Sequence, residues 1–255
     1  TDPRFTPSLI QQELVNAGFL GRKSGRGFYR YGADAVAPAP ATEAAVERAT
    51  QAVQLFGAGP LADALAARLG NVSVERSSGS STPGADNLVL QCGSARAYLT
   101  DGRSATQRAA DNRHADTVLI DLALDFSKAA RLAVTRADQC SDAAYTAIVA
   151  LLQAAGFAVS RLDDVPGMAV MRTVAMLANE AADTVNQGVC SAADADMAMQ
   201  KGVNYPRGPL AWADAIGLDT VAEVLSHLAA AYGEDRYRVS PLIMRKTVSG
   251  GQFHA

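Results

Sequence analysis

The residues of this chain whose types and spacing come nearest to a chemical site surround a glycine turn. Val53-Gln54-Leu55-Phe56 reads as a strand, Gly57-Ala58-Gly59-Pro60-Leu61-Ala62 as a turn opening a helix, and Val72-Ser73-Val74-Glu75 as a second strand closing on an acid eighteen residues after Gly57. That order suits a dinucleotide, because the glycines let a pyrophosphate approach the helix N-terminus and the acid binds the ribose hydroxyls. Gly57, Gly59 and Glu75 are therefore the candidate cofactor-binding residues, with NAD as the cofactor. Pro60 takes a backbone donor out of the turn, so the fold is expected to survive better than the binding, and the site reads as vestigial.

Elsewhere the reactive side chains are scattered. His114, His227 and His254 have no metal-ligand spacing. Cys92, Cys140 and Cys190 form no Cys-x-x-Cys pair and read as buried free thiols of a reducing compartment. No metal site is expected. The net charge of −3 carries no basic stripe for a phosphate backbone, and no apolar run approaches the roughly 20 residues that span a bilayer. Nucleic acid and membrane are thus unexpected partners, and the chain reads as cytoplasmic.

The elements that would position such residues follow from pattern. Residues 33–43 alternate Ala and Pro and read as a semi-extended linker. After the glycine turn, residues 76–86 read as a polar loop, 87–92, 117–122, 132–135 and 157–162 as strands, Asp101-Gly102 as a turn, and 104–113 as a polar helix. Ser141 caps an amphipathic helix ending at Gly156. From Val170, apolar residues recur at helical spacing through Val185 until Gly188, Ser191 opens a second helix, and Trp212 lies on a third. Asn179 and Glu180 sit in an apolar helix and are expected to bond neighbouring backbone.

There is also an internal repeat. Asp2-Pro3-Arg4-Phe5-Thr6-Pro7-Ser8-Leu9-Ile10 matches, with a one-residue slip, Asp235-Arg236-Tyr237-Arg238-Val239-Ser240-Pro241-Leu242-Ile243. Each copy has a hydroxyl residue before Pro, the order that caps and opens a helix. Behind the first copy comes Leu20-Gly21-Arg22-Lys23-Ser24-Gly25-Arg26-Gly27-Phe28-Tyr29-Arg30-Tyr31, a basic glycine turn whose aromatics pack back on a core. A phosphate contact is its secondary reading.

That turn, together with Pro166-Gly167-Met168-Ala169-Val170-Met171-Arg172, Asn179-Glu180-Ala181 and Gly202-Val203-Asn204-Tyr205-Pro206-Arg207-Gly208-Pro209, resembles the L-3-hydroxyacyl-CoA dehydrogenase family, in particular long bacterial forms with two fused copies, such as those of phenylacetate degradation. The resemblance implies an α/β plus all-α chain, a degenerate Rossmann-like parallel sheet domain followed by a 6-phosphogluconate-dehydrogenase-like C-terminal helical domain. It implies residues 1–32 as the closing helix and tail of a preceding helical domain, 33–48 as linker, 49–163 as the sheet domain and 164–255 as the helical domain. The parent would be an NAD-dependent oxidoreductase of a 3-hydroxyacyl-CoA, with the preceding copy or a second chain as partner.

The family removes the proton of the 3-hydroxyl with a histidine oriented by a carboxylate, as hydride leaves the same carbon for NAD. Aligned on the family motifs, those positions fall on Asp121 for the base, Ala133 for the carboxylate and Met171 for an asparagine. No catalytic residue is expected in this half, whose role is then dimerisation and shaping of the acyl-CoA cleft. An independently active copy and a ligand-free assembly module are the alternatives.

Overall fold

The computed structural model describes residues 6–46, 52–57, 59–69, 74–77 as backbone, and 87–254. Of the loop expected at 76–86, Arg76 and Ser77 instead extend the second strand, and 78–86 lie outside the described residues, as do the Asp2–Phe5 part of the repeat, Ala58 and the Glu75 side chain. Two compact units divide the chain, Thr1–Ala41 and Thr42–Ala255.

In the first unit, α1 (Leu9–Asn16) is capped at Ser8, two residues beyond the expected Thr6 cap. Ser8 accepts from the Gln11 N–H while the Gln11 side chain accepts from the Ser8 N–H, so this reciprocal pair of bonds sets the start. Leu9 and Ile10, 72% and 62% exposed, have no covering layer among the described residues of this unit. A 3-10 turn at Arg22–Ser24 follows, knotted by Gly21 N–H to Arg26 O at 2.8 Å and Tyr31 N–H to Gly25 O at 2.8 Å.

The second unit is built on seven described strands, β1 (Val53–Phe56), β2 (Val74–Ser77), β3 (Leu88–Cys92), β4 (Ala95–Leu99), β5 (Thr117–Ile120), β6 (Arg131–Arg136) and β7 (Ala158–Arg161). Their order in the sheet is β2-β1-β3-β4-β5-β6-β7. The Rossmann-like reading stands, with one correction: the sheet is mixed, not parallel. β1 with β2, β4 with β5 and β6 with β7 run parallel, whereas β3 lies antiparallel to β1 and β4, and β5 antiparallel to β6. The cause is local, since only Gly93-Ser94 separates β3 from β4, and a two-residue loop closes a hairpin. Gly93 has the positive φ, +58°, that such a turn needs.

Three helices flank the sheet: α2 (Pro60–Arg68), α3 (Ala105–Asp111) and α4 (Asp142–Ala154). β5 is buried along its whole length, as a strand covered on both faces must be. The end of the expected linker joins this unit, for Glu43 N–H donates to Val159 O at 2.8 Å and the Gln153 side chain bonds the backbone of Glu43, Ala44 and Val46.

The remaining helices are α5 (Val170–Asn186), α6 (Ala192–Val203), α7 (Pro209–Ile216), α8 (Leu218–Tyr232) and α9 (Pro241–Ser249). α5 packs against the other four. Its buried residues Met171, Val174, Ala175, Ala178 and Ala182 repeat at helical spacing, and the alanines allow close approach. Asn179 bonds backbone as expected, donating to Arg238 O at 2.9 Å and accepting from Ser240 N–H at 2.8 Å, which fixes the start of α9. Leu242 and Ile243, the repeat counterparts of Leu9 and Ile10, are only 4% and 0% exposed.

Candidate functional site

Asp121 follows β5 directly, and its N–H donates to Ala133 O in β6 at 3.0 Å. Its side chain is 1% exposed. Oδ2 accepts from the N–H groups of Ala169 at 3.0 Å and Val170 at 2.7 Å, and Oδ1 from Met171 at 2.9 Å and Leu122 at 2.8 Å. The carboxylate thus caps α5, whose own N-cap residue Ala169 offers no side-chain acceptor. Gly167 and Met168, with φ of +76° and +53°, turn the backbone so that these donors face it. Burial raises the Asp121 carboxyl above the usual carboxylate range, against the pull of the four backbone donors.

The three positions aligned with the family's catalytic set therefore share one hydrogen-bonded cluster. Their chemistry differs from an acid–base site: Asp121 has both oxygens committed to backbone, Ala133 offers a methyl group, and Met171 is wholly buried. The histidines are engaged elsewhere. His114 Nε2 lies 2.7 Å from Ser94 O, His227 Nδ1 2.8 Å from Asp101 O, and His254 Nε2 2.9 Å from Asp196 Oδ2.

A cleft of about 620 Å³ lies beside this cluster, between the turn after β1 and helix α7. Phe56, Gly57, Gly59 and Pro60 form one wall, Leu122–Phe126 the floor, and Trp212, Ile216 and Thr220 the other wall, with Asn87 and Arg207 as polar groups. Size and lining suit a small organic ligand. Gly57 has φ +72°, and a Cβ on Gly57 or Gly59 would meet nothing within 4 Å, so backbone is open to an approaching group. Pro60 is the first residue of α2 and Gly59 caps it without a side chain, which leaves the Leu61 and Ala62 N–H groups as donors. The turn is open in space, and Pro60 leaves it one backbone donor fewer. Glu75 pairs with Gln54 in register.

Capping by distant carboxylates recurs, and sequence reasoning missed it. Asp164 accepts from Ala105 N–H at 2.6 Å and Thr106 N–H at 2.9 Å at the start of α3. Asp196 accepts from Leu210 and Ala211 N–H, each at 2.8 Å, at the start of α7, and Asp214 holds the chain after α9 by accepting from Phe253 and His254 N–H, each at 2.9 Å. The available signal was a helix lacking a hydroxyl or Asx cap, as at Ala169 and Gly208, because buried N–H groups there need an acceptor from somewhere.

The Asp101-Gly102 turn ties the sheet to α8. Asp101, Glu223 and His227 bring ligand-capable atoms within 4.8 Å of one another, but the Asp101 carboxylate is committed to Arg103 at 2.6 Å and to the buried Arg108. Gly102 is pressed so close that a Cβ would stand 2.6 Å from Val224 O. Burial works against the charge on Asp101, yet the Arg103 and Arg108 guanidiniums outweigh it and hold the carboxyl below its ordinary range. A carboxyl lower in the folded than in the unfolded chain gives stability above the unfolded value, near 4, that is lost as pH falls through the folded value. Glu223, raised chiefly by burial, acts with the opposite sign. Arg103→Gln is accordingly expected to lower stability by about 1–3 kcal/mol at pH 6, with the difference from the parent chain shrinking as pH falls below the unfolded carboxyl value toward the lower folded one. Urea unfolding across that range measures this, and a constant difference would refute it.

Residues 97–166 match the reduced Rossmann-fold domain of 3-hydroxybutyryl-CoA dehydrogenase, and residues 167–254 the C-terminal domain of 3-hydroxyacyl-CoA dehydrogenase. The chain is 36% identical over 245 residues to 3-hydroxyadipyl-CoA dehydrogenase of Escherichia coli strain K12, covering 96% of this chain and 44% of that protein. It is 38% identical over 104 residues to a probable 3-hydroxybutyryl-CoA dehydrogenase of Bacillus subtilis, covering 41% and 36%. The crystal structure of 3-hydroxybutyryl-CoA dehydrogenase from Escherichia coli K12 superposes with a TM-score of 0.77 at 31% identity, covering 98% of this chain and 46% of that one. The chain spans less than half the length of these curated relatives. With a Rossmann-like mixed sheet, a helical domain around α5 and both family domains matched in sequence, the chain belongs to the 3-hydroxyacyl-CoA dehydrogenase family.

Proposed function

We propose that the chain is the C-terminal portion of a longer, two-copy NAD-dependent dehydrogenase that oxidises a 3-hydroxyacyl-CoA to the 3-oxoacyl-CoA, and that this half does not itself transfer hydride. The observation that carries the reading is the Asp121 carboxylate, aligned with the family's base yet fully committed to capping α5. A base must be free to take the substrate's proton, and neither Ala133 nor Met171 can hold or orient one. Steady-state turnover of the isolated chain is the test, with none expected. Gly57, Gly59 and Glu75 are then vestiges of a dinucleotide site, and NAD acts in the other copy. The parent enzyme is read as cytoplasmic and as one of phenylacetate degradation, and the 3-hydroxyadipyl-CoA dehydrogenase of Escherichia coli supports an acyl-CoA substrate.

What this half retains is packing surface. Leu9 and Ile10 are exposed where their counterparts Leu242 and Ile243 are buried on the helical domain. α1 thus closes a preceding helical domain, and residues 1–32 are its tail. Left without that domain, the chain is expected to self-associate through α1 as its concentration rises, and Leu9→Ser with Ile10→Ser to return it to lower mass. Sedimentation velocity measures this, and equal masses for the two proteins at every concentration would argue against the docking face. The cleft lined by Trp212 and Ile216 would lend its walls to the acyl-CoA site of the assembled enzyme. A ligand-free assembly module is the second reading, favoured by the donor that Pro60 removes.

A further inference from the structure

Among the described arginines that are not exposed, one stands apart. Each of the others meets an oxygen of a carboxylate, a carbonyl, an amide or a hydroxyl, as Arg103 meets Asp101, Arg68 the Ser127 carbonyl and Arg131 the Ser160 hydroxyl. No hydrogen bond, ion pair or ring contact among the described residues takes the guanidinium of the partly buried Arg207. A guanidinium carries five N–H donors, and leaving them unmet where water is scarce costs free energy. Arg207 also stands where two clefts adjoin. It lines the cleft of about 620 Å³ between the glycine turn and α7 and, with Pro206 and Lys128, a neighbouring one of about 440 Å³. Ala123, Leu124 and Asp125 line both.

The backbone that carries Arg207 is held on each side. Asn204, with φ +58°, ends α6, Pro206 restricts the chain just before Arg207, and Gly208 lies so near Asp196 that a Cβ there would collide with the carboxylate. Asp196 in turn holds the Leu210 and Ala211 N–H groups at the start of α7. Farther along α7, Trp212 and Ile216 are one turn apart and line the same cleft, with Leu122 and Phe126 on the side of the sheet. The cleft thus joins an unanswered cation to an apolar wall.

We infer that this cleft binds a monocarboxylate with a short apolar body, its carboxylate on Arg207 and its body against Trp212, Ile216 and Phe126. The guanidinium fork matches the two oxygens of a carboxylate. The local charge balance selects a single negative charge. Asp125 lines both clefts with a carboxylate of its own, which accepts from the Ser127 N–H at 3.0 Å and pairs with Lys128 at 3.2 Å. Lys128 is thereby answered, and a phosphate dianion would bring two charges to one guanidinium beside that acid. The apolar wall selects a hydrocarbon body over a sugar or polyol. A held loop spares the ordering that a flexible one would undergo on binding. The assignment stands whether or not this half transfers hydride. A free acid and the carboxylate end of a longer conjugated chain both present this chemistry.

Calorimetric titration of the 255-residue chain at pH 7 and 0.15 M salt tests the assignment, with hexanoate, octanoate, octanamide, monomethyl suberate and inorganic phosphate as probes. Saturable octanoate binding is expected, about four- to fifteenfold tighter than hexanoate for the two further methylenes, with octanamide and phosphate at least about tenfold weaker. Arg207→Gln should weaken octanoate at least about tenfold and Arg207→Lys less, whereas Lys128→Gln should change it by less than about threefold. Monomethyl suberate equal to octanoate or tighter identifies the end of a conjugated chain as the source, and weaker binding identifies a free acid. No saturable octanoate binding, octanamide or phosphate matching octanoate, or Arg207→Gln binding octanoate like the parent chain would each overturn the site. Arg207 makes no bond within the described residues, so its variants should melt with the parent chain, which circular dichroism verifies. The comparison of octanoate with octanamide needs no variant at all.

Discussion

Asp121→Ala is expected to destabilise the chain by about 3–5 kcal/mol, near the upper end for a single substitution. Four N–H groups lose their acceptor together. Hydrogen bonds to a charged group contribute roughly 1.5–3 kcal/mol each, but relief from burying the carboxylate offsets part of the sum. Solvent can reach the N–H groups of the exposed Ala169 and Val170, whereas those of the buried Met171 and Leu122 are left without a partner. Asp121→Asn keeps one acceptor oxygen and turns an NH₂ toward other donors, so it should fall between. Urea unfolding followed by circular dichroism gives the values. A loss below about 1 kcal/mol for Asp121→Ala would mean that the carboxylate is not the cap of α5, and would reopen its assignment as a free acid or base.

The result matters because it separates two accounts of the Asp121 position. If Asp121 were simply an aligned replacement, reverting it to histidine would be a step toward catalysis. As a buried cap, it joins the sheet to the helical domain, and an imidazole, which presents one acceptor at most, cannot receive four backbone donors. Asp164 ties the same junction from the other side by capping α3.

Local pattern made much of this fold legible. Val53–Phe56 is a strand with the bounds its apolar run suggests, Ser141 and Ser191 cap α4 and α6, and the spacing from Val170 gives the buried face of α5. What escaped depends on partners far along the chain. β4 was missed because Ala95-Arg96-Ala97-Tyr98-Leu99 has a modest apolar signal. Gly93-Ser94 just before it is nevertheless a hairpin turn, and overlooking it also hid the mixed direction of the sheet. The α1 cap was placed at Thr6 because the Thr-Pro order looked sufficient, whereas Ser8 has Gln11 three residues on. Asp101, Asp121, Asp164 and Asp196 stand in no local motif. Their roles arise only when folding brings a helix start 14 to 59 residues away onto the carboxylate, or, for Asp101, two arginines and α8 onto one turn.

The catalytic prediction carries the largest expected effect. A positioned acid or base accelerates proton transfer by about 10²–10⁴-fold, and on the proposed alignment the base, the group that would orient it and the asparagine position are all changed, while Pro60 leaves the glycine turn one backbone donor short. Because groups that act as a unit do not contribute additively, the deficit is set near the upper end of that range rather than at a product of three factors. The direct measurement is NADH oxidation with acetoacetyl-CoA by the 255-residue chain, side by side with a family member that has the histidine base. The account predicts a rate at least about 10⁴-fold lower. A rate within about tenfold of that relative would contradict it, and would place a working active site in residues that the Asp121 cluster does not contain.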